Sequence, residues 1–203
     1  MNWILYIGLL LFGFQGEIPI KDRDAFIQKF DEISENTSSI QCRYIESKYL
    51  SFSKEPLRSE GNMYYEDQKM RWEQTVPKSH VLIIVDDKMK IKENGKIEEH
   101  SLASNKIMRG IKEIMVGSMT GNLLKNEQFE TSLFENDNYF IVKMIPKPNR
   151  LKKMFSEVTL NFDRNTYRMS HVKLLEPGGD YTIYDFIDPV FNKKLDQKLF
   201  TLE

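Results

Sequence analysis

The stretch that decides the fold is Gly61–Val85, GNMYYEDQKMRWEQTVPKSHVLIIV. A strand pattern over Asn62–Tyr65 meets a short polar turn at Asp67–Lys69 and continues as a second strand pattern, Met70–Gln74. After a proline comes Val81–Val85, an unbroken apolar run that predicts a strand covered on both faces. Strands joined by such short connections predict an antiparallel sheet.

Strand patterns of the same kind occur on both sides of this stretch. Apolar and polar residues alternate in them with a period of two, which is typical of half-buried strands. The pair Asn94-Gly95 is a strong hairpin signal. The further predicted strands are Ile40–Lys48, Met89–Lys92, Phe129–Phe134, Tyr139–Ile145, Phe155–Phe162, Tyr167–Leu174, Tyr181–Ile187 and a final piece near Leu199–Leu202.

Two segments have helical spacing instead. In Lys21–Ser34, the residues Phe26, Phe30 and Ile33 recur at i, i+4 and i+7. Between Ser104 and about Lys125, apolar residues again fall three or four apart. The sequence therefore predicts a mainly β (α+β) domain of about ten antiparallel strands with an N-terminal helix and a central helical insert. A sheet of that size must curl or close to cover its apolar face.

The first sixteen residues differ from the rest because they contain no charged side chain. The run WILYIGLLLFGF at positions 3–14 suits a signal-peptide core and is too short for a membrane-spanning helix. A buried N-terminal helix or strand is the alternative. We expect residues 1–16 to be a signal peptide and residues 17–203 to form a single exported domain in the periplasm.

Composition excludes several classes of function. The net charge of -1 argues against a nucleic-acid binder, which would neutralise many phosphates. The single cysteine, Cys42, excludes an internal disulfide and a multi-cysteine zinc site. The three histidines are isolated, and no phosphate-binding or nucleophile motif is present. We therefore expect no catalytic residues, no metal and no cofactor, although a triad assembled from distant segments stays open.

The chemistry that is present is apolar and adaptable. Methionines concentrate in the middle of the chain, and the flexible thioether side chain fits ligands of varied shape. They are Met63, Met70, Met108, Met115 and Met119. The helical insert and the sheet therefore either pack as an ordinary core or enclose a cavity for an apolar ligand. A basic run formed by Lys147, Arg150, Lys152 and Lys153 is either a solvated loop or a contact for an anionic lipid head group or a partner.

The order of these segments resembles the LolA family of periplasmic outer-membrane lipoprotein carriers over nearly the whole mature chain. In the family, a helix is followed by strands with characteristic residues and by a helical lid. The matching segments here are Tyr44–Lys48, Gly61–Tyr65, Met70–Trp72, Val81–Asp87, Ile145–Lys147, Val158–Phe162 and Leu199–Leu202.

The sequence also departs from the family pattern. The family's Arg-Pro pair, whose Arg hydrogen-bonds the closed lid, appears here as Glu66-Asp67. The resemblance therefore assigns no residue of this chain to that contact with the lid. Glu46 replaces a Gln of the first strand, and Asp87 replaces a Gly.

The resemblance implies an incomplete antiparallel β-barrel of ten or eleven strands with a helical lid over an apolar cavity. It implies a carrier that shields the acyl chains of lipoproteins between the inner and the outer membrane. The implied partners are acylated lipoproteins, an inner-membrane lipoprotein-releasing transporter and an outer-membrane receptor, and we expect a monomer. The alternatives are a lipid- or lipoprotein-sensing protein of envelope stress signalling, a carrier of another exported lipid, or an enzyme on the same half-barrel.

Alternation and the matched motifs give a candidate acyl-binding set on the concave face and the lid. For each residue the competing interpretation is dry core. The set is Tyr44, Met63, Tyr65, Met70, Trp72, Ile107, Ile111, Met115, Met119, Phe140, Val142, Val158, Leu160, Phe162, Tyr184 and Phe186.

Overall fold

The structure is a computed structural model that describes residues 16–104, 109, 112, 124 and 126–202. The predicted signal peptide, Gly16 apart, and most of the predicted central helix lie outside the described residues. The elements are β1 Ile18–Pro19, α1 Arg23–Glu35, β2 Ser39–Tyr49, β3 Leu57–Glu66, β4 Lys69–Val76, β5 His80–Val85, β6 Lys88–Glu93, β7 Lys96–Ser101, β8 Phe129–Glu135, β9 Tyr139–Pro146, α2 Asn149–Lys152, β10 Glu157–Asp163, β11 Met169–Leu175, β12 Tyr181–Phe191 and a 3-10 turn Gln197–Phe200.

The strands form one sheet of twelve, in the order β1-β8-β9-β10-β11-β12-β2-β3-β4-β5-β6-β7. Each recorded pair of neighbours is antiparallel. Pairing of β12 with β2 brings the last long strand against the first, so both halves of the chain share one surface. This confirms the mainly β antiparallel prediction. The predicted strand number is too low, because the two-residue β1 is too short to show a pattern and β7, KIEEHS, does not alternate between apolar and polar residues.

The hairpin turns follow from residues that accept a left-handed backbone. Asp67 and Gln68 have φ of 50° and 64° between β3 and β4, and Asn94 and Gly95 have φ of 49° and 77° between β6 and β7. Positive φ at both central residues is the signature of the type I′ turn, whose twist matches that of the paired strands. The two predicted turns are therefore confirmed at these positions.

Helix α1 covers one half of the concave face. The Asp22 carboxylate caps its start by accepting a 2.9 Å hydrogen bond from the Ala25 N–H. Phe26 and Phe30, one turn apart, are buried on the face that meets the sheet. The predicted helix is confirmed, with its bounds shifted by one or two residues.

The C-terminal prediction is wrong. In place of a strand near Leu199–Leu202, the chain makes the 3-10 turn Gln197–Phe200, and the Asp196 carboxylate accepts the Lys198 N–H at its start. Phe200 is buried and lies with Ile83 on the outer face of β5. Because Phe200 covers Ile83, the outer face of β5 is buried, which explains why β5 is apolar on both faces.

Tyr167 is also misassigned to a strand. It has φ of 56° and belongs to the turn before β11.

Candidate functional site

The candidate site is the concave face of the sheet, which the strand register fills with apolar side chains. Tyr44 pairs with Phe186 across β2 and β12, Met63 pairs with Trp72 across β3 and β4, and Trp72 pairs with Leu82 across β4 and β5. Because alternate residues of a strand point to the same face, one apolar row runs across neighbouring strands.

Five of the predicted site residues form one cluster on β2, β3 and β4. Tyr44, Met63, Tyr65 and Met70 are between 0% and 4% exposed, whereas Trp72 is only partly buried against them. The sequence analysis missed several residues of the same cluster on β5 and β6. Their alternation along those strands is the signal that could have found them, and they are Leu82, Ile84, Met89 and Ile91.

Five other predicted residues form a second cluster, which α1 closes. Phe140, Val142, Val158, Leu160 and Phe162 are between 0% and 7% exposed. Residues 157–163 alternate strictly between half-buried and buried, so Val158, Leu160 and Phe162 lie on the buried side of β10.

The ring of Phe26 lies 4.9 Å from that of Phe140, and the ring of Phe30 lies 4.7 Å from that of Phe162. This half of the concave face is therefore packed by the chain's own helix.

An aromatic seam joins the two clusters. It consists of Trp72, Tyr184 and Phe186, and Tyr184 and Phe186 touch both clusters. The Trp72 ring lies 5.3 Å from Tyr184 and 6.1 Å from Phe186, each time edge to face. These three side chains are only partly buried. The seam is therefore the part of the predicted set that offers apolar surface to a ligand.

Close backbone packing supports the seam from below. A Cβ on Gly61 would lie 1.9 Å from the Glu73 carbonyl oxygen and 2.7 Å from the Tyr44 hydroxyl. The Tyr44 hydroxyl therefore lies close to Gly61, its cross-strand partner, and the Tyr44 ring lies 4.4 Å from that of Trp72 at an angle of 34°. Only glycine permits this approach, which places the Tyr44 ring beneath the seam.

Space between α1 and the sheet is small. A cavity of about 40 Å³ lies beside Phe30, Cys42, Met63, Phe162 and Phe186. That volume holds a few water molecules. An acyl chain can enter at this point only if the side chains move.

Polar groups lie inside this apolar surface. The Tyr44 hydroxyl is buried without a hydrogen-bond partner in the described part of the chain, and burial raises its pKa, an effect that Trp72 opposes. Glu46 is paired with Tyr184 across β2 and β12. Burial raises the pKa of both, and the Glu46 carboxyl raises that of Tyr184 further. Burial also raises the pKa of the Cys42 thiol to about 12, so this cysteine is an inert core residue.

The four predicted lid residues, Ile107, Ile111, Met115 and Met119, lie outside the described residues. Of the same segment, Lys112 donates a 2.7 Å hydrogen bond to the Asp86 carbonyl at the β5–β6 turn. Leu124 packs against the cluster that α1 closes.

A polar cluster lies on the opposite, outer face of the sheet. His171 Nδ1 lies 2.6 Å from Asp185 Oδ1, and its Nε2 lies 3.1 Å from the Tyr139 hydroxyl.

Across the described ranges, no three His, Cys, Asp or Glu side chains are placed to hold a metal. None of the helices described is long and apolar enough to cross a membrane.

Comparison with known proteins identifies one family. The model of the family "Outer membrane lipoprotein carrier protein LolA" matches residues 35–203. No curated protein is similar enough in sequence to be matched.

Solved structures that match this chain differ widely from it in sequence. An uncharacterised conserved protein from Thermus thermophilus is 9% identical over 87% of this chain and 92% of its own, with a TM-score of 0.54. In the Pseudomonas aeruginosa MucA/MucB complex, the matched chain is 12% identical over 88% of this chain and 60% of its own, with a TM-score of 0.52. A LolA superfamily protein from Nitrosomonas europaea is 11% identical over 88% of this chain and 96% of its own, with a TM-score of 0.46.

Proposed function

The chain belongs to the LolA family of outer membrane lipoprotein carrier proteins, and from this we propose that it carries lipoproteins by covering their acyl chains on its concave face. Each CH₂ group of an acyl chain costs about 0.8 kcal/mol when it is exposed to water. A lipoprotein anchor therefore needs a carrier to cross an aqueous compartment. The role requires reversible burial and no covalent step, so the proposed activity is not enzymatic.

The observation that supports this role is the seam of partly buried aromatic side chains, Trp72, Tyr184 and Phe186, between two buried apolar clusters. Aromatic rings provide large apolar contacts without fixed hydrogen-bond geometry. The neighbouring Met63 and Met70 are buried and flexible, so the surface beside the seam can adapt to chains of different shape. Such contacts suit uptake followed by release.

The second half of the predicted acyl set has a different role in this proposal. Phe140, Val142, Val158, Leu160 and Phe162 form one buried cluster with Phe26 and Phe30 of α1 and serve as core. We propose that the acyl chains lie over β2–β6 and the seam. The central segment with Ile107, Ile111, Met115 and Met119 would cover them as the lid.

The location and partners follow from the same role. We propose that the protein is exported to the periplasm by residues 1–16, that it works as a monomer, and that it receives lipoproteins from an inner-membrane transporter and delivers them to an outer-membrane receptor. No resident cofactor is needed. A different exported lipid would use the same surface in the same way.

Purification from the native envelope followed by mass spectrometry tests the proposal directly. Acylated lipoproteins that co-elute with the wild type and are lost from a Trp72→Lys variant are the expected result. The lysine charge opposes apolar contact between the seam and an acyl chain. The variant should still fold, because Lys at a partly buried position can turn its amine to solvent. The same cargo on both proteins, or no acylated cargo on either, would contradict the proposal.

A sensing role is the second candidate, and one observation favours it. The fold is similar to that of MucB, which was solved in complex with MucA, at a TM-score of 0.52. A sensor would bind an acyl group and a regulatory protein without passing its cargo on. Transfer distinguishes the two roles: a carrier loaded with a lipoprotein releases it to acceptor membranes or receptor, whereas a sensor retains it.

A further inference from the structure

One end of the sheet combines exposed apolar side chains with unpaired cations. In this antiparallel sheet, the connections β2–β3, β4–β5, β6–β7, β9–β10 and β11–β12 leave from the same edge. We call the part of this edge formed by the first four connections the basic rim and define it as residues 50–58, 76–79, 94–97 and 145–156. The connections β3–β4, β5–β6, β8–β9 and β10–β11 lie at the opposite edge.

Most of the exposed large apolar side chains in the described part of the chain lie on this rim. Phe52 is 83% exposed and Leu57 is 59% exposed, both near the tip of the β2–β3 connection. Val76, Ile97 and Ile145 are between 45% and 49% exposed at the ends of β4, β7 and β9. Because they stand on separate connections, they form a set of protruding tips and not a groove for one peptide.

The cations of the rim concentrate around α2. The stretch at positions 145–156, IPKPNRLKKMFS, contains four cations and no acidic residue. Lys147, Lys152 and Lys153 are exposed, and within the described residues none of them forms an ion pair. Leu151 is buried and anchors α2 to the rest of the protein, so the exposed lysines project from an ordered helix.

At this edge Glu55 and Glu127 are exposed, whereas the acidic residues of the β11–β12 connection are engaged. Glu176 lies 3.1 Å from Lys48, and the Asp180 carboxylate accepts the Ser51 N–H at 2.7 Å. The turns at the opposite edge, in contrast, are rich in aspartate, at Asp67, Asp86, Asp87, Asp137 and Asp163. Lys69, Lys88 and Arg164 also lie at those turns, so the contrast is between the stretch around α2, which has no acidic residue, and the aspartate-rich turns.

We propose that the basic rim is a membrane-docking surface that places the protein on an anionic phospholipid bilayer. Lysines near an anionic surface and apolar tips at the head-group level act together in interfacial binding. A flat fluid surface accommodates tips on separate connections, and the aspartate-rich turns of the opposite edge would face away from it. The rim residues lie outside the acyl-contacting seam, so this proposal goes beyond the proposed carrier function.

Vesicle co-sedimentation of the purified protein tests the proposal. We expect binding to vesicles of phosphatidylcholine mixed with phosphatidylglycerol, little binding to phosphatidylcholine alone, and release at about 0.5 M salt, where surface charges are screened. The triple substitution K147E/K152E/K153E should weaken binding roughly a hundredfold, because each lysine contributes about fivefold. Phe52→Ser should weaken it severalfold without changing the charge.

The matched control reverses three lysines away from the basic rim. K21E/K193E/K194E alters the net charge by the same amount at exposed positions, so it should keep vesicle binding within about twofold if location decides. Equal loss in both triple variants, equal binding to neutral and anionic vesicles, or no vesicle binding would overturn the proposal. The last outcome would leave the rim to a protein partner.

A fluorescent fatty acid keeps this test separate from that of the carrier function. The rim variants should bind the fatty acid as the wild type does, since none of the changed side chains lies in the seam. Vesicle binding without fatty-acid binding would contradict the proposed carrier function alone. Fatty-acid binding without vesicle binding would remove the docking surface alone.

Discussion

The Glu66 carboxylate at the end of β3 accepts a 2.9 Å hydrogen bond from the backbone N–H of Leu195, 129 residues later in the chain. Its second oxygen accepts the Gln197 amide, and Glu66 is only 8% exposed. The family that the sequence resembles has at this position an Arg that hydrogen-bonds the closed lid. In this chain the position instead holds the C-terminal segment against the sheet.

We expect Glu66→Ala to lower the free energy of unfolding by about 2 kcal/mol, because hydrogen bonds to a charged group are strong and the buried Leu195 N–H would lose its partner. Glu66→Gln keeps one acceptor oxygen and should cost less. Urea denaturation measures both. A loss below about 0.5 kcal/mol for the alanine variant would show that the contact does not stabilise the C-terminal segment.

A second prediction concerns the glycine under Tyr44. Gly61→Ala places a methyl group 1.9 Å from the Glu73 carbonyl oxygen, so the paired strands must separate. Forced overpacking of this kind costs about 1–3 kcal/mol or more.

Gly178→Ala is the matched control, since a Cβ at Gly178 meets nothing within 4 Å. Thermal denaturation should show a clear fall in Tm for Gly61→Ala and almost none for Gly178→Ala. Equal effects would mean that the general loss of glycine, and not the close approach, determines the cost.

Sequence patterns predicted the strands and turns of this fold well where a few neighbouring residues determine the backbone conformation. The alternation at Met70 and Trp72 and the Asn94-Gly95 pair each depend on a few neighbouring residues. Phe200 shows the limit. The segment around Phe200 has the sequence pattern of a strand. A strand must pair with the free edge of a sheet, however, and here the chain turns so that Phe200 covers Ile83.

The candidate site could be predicted only as a face, not as a ligand surface. Alternation correctly places Met70, Trp72 and Leu160 on the concave side, yet Met70 and Leu160 are fully buried and Trp72 is not. Leu160 is covered because Phe26 and Phe30 of α1 pack over one half of the sheet, whereas Met70 is buried in the other cluster with Ile84, Met89 and Leu102. Where a helix docks is a long-range property, and the helical period alone does not specify it.

Glu46 gives a pH-dependent prediction. Burial raises its pKa in the folded protein above that in the unfolded chain, so the folded state binds the proton more tightly. Stability should therefore fall as pH rises through the interval between the unfolded and the folded pKa. Above that interval the folded protein holds an ionised, partly buried carboxylate beside Tyr184.

Glu46→Gln removes this titration. Compared with the wild type, the variant should be more stable at neutral pH, and the difference should shrink as pH falls to about 4, near the pKa of an exposed Glu. Chemical denaturation at the two pH values checks this. A constant difference, or a wild type that gains stability on going to neutral pH relative to the variant, would contradict the assigned direction.

The final prediction separates ligand surface from core with two aromatic residues. Trp72 is partly buried in the seam, with its ring 4.4 Å from Tyr44. Phe26 is 2% exposed, and its ring lies 4.9 Å from Phe140. We expect Trp72→Ala to weaken binding of a fluorescent fatty acid roughly tenfold, because it removes a large apolar contact.

Phe26→Ala should lower the free energy of unfolding by about 3–5 kcal/mol, as is usual when a buried aromatic is truncated. It should leave the affinity of the folded molecules nearly unchanged, because Phe26 does not belong to the seam. Titrations at a temperature where both variants are folded, combined with urea denaturation, provide the two readouts. If both variants lose binding only in proportion to their unfolded fraction, the seam is ordinary core and the acyl chains must lie elsewhere.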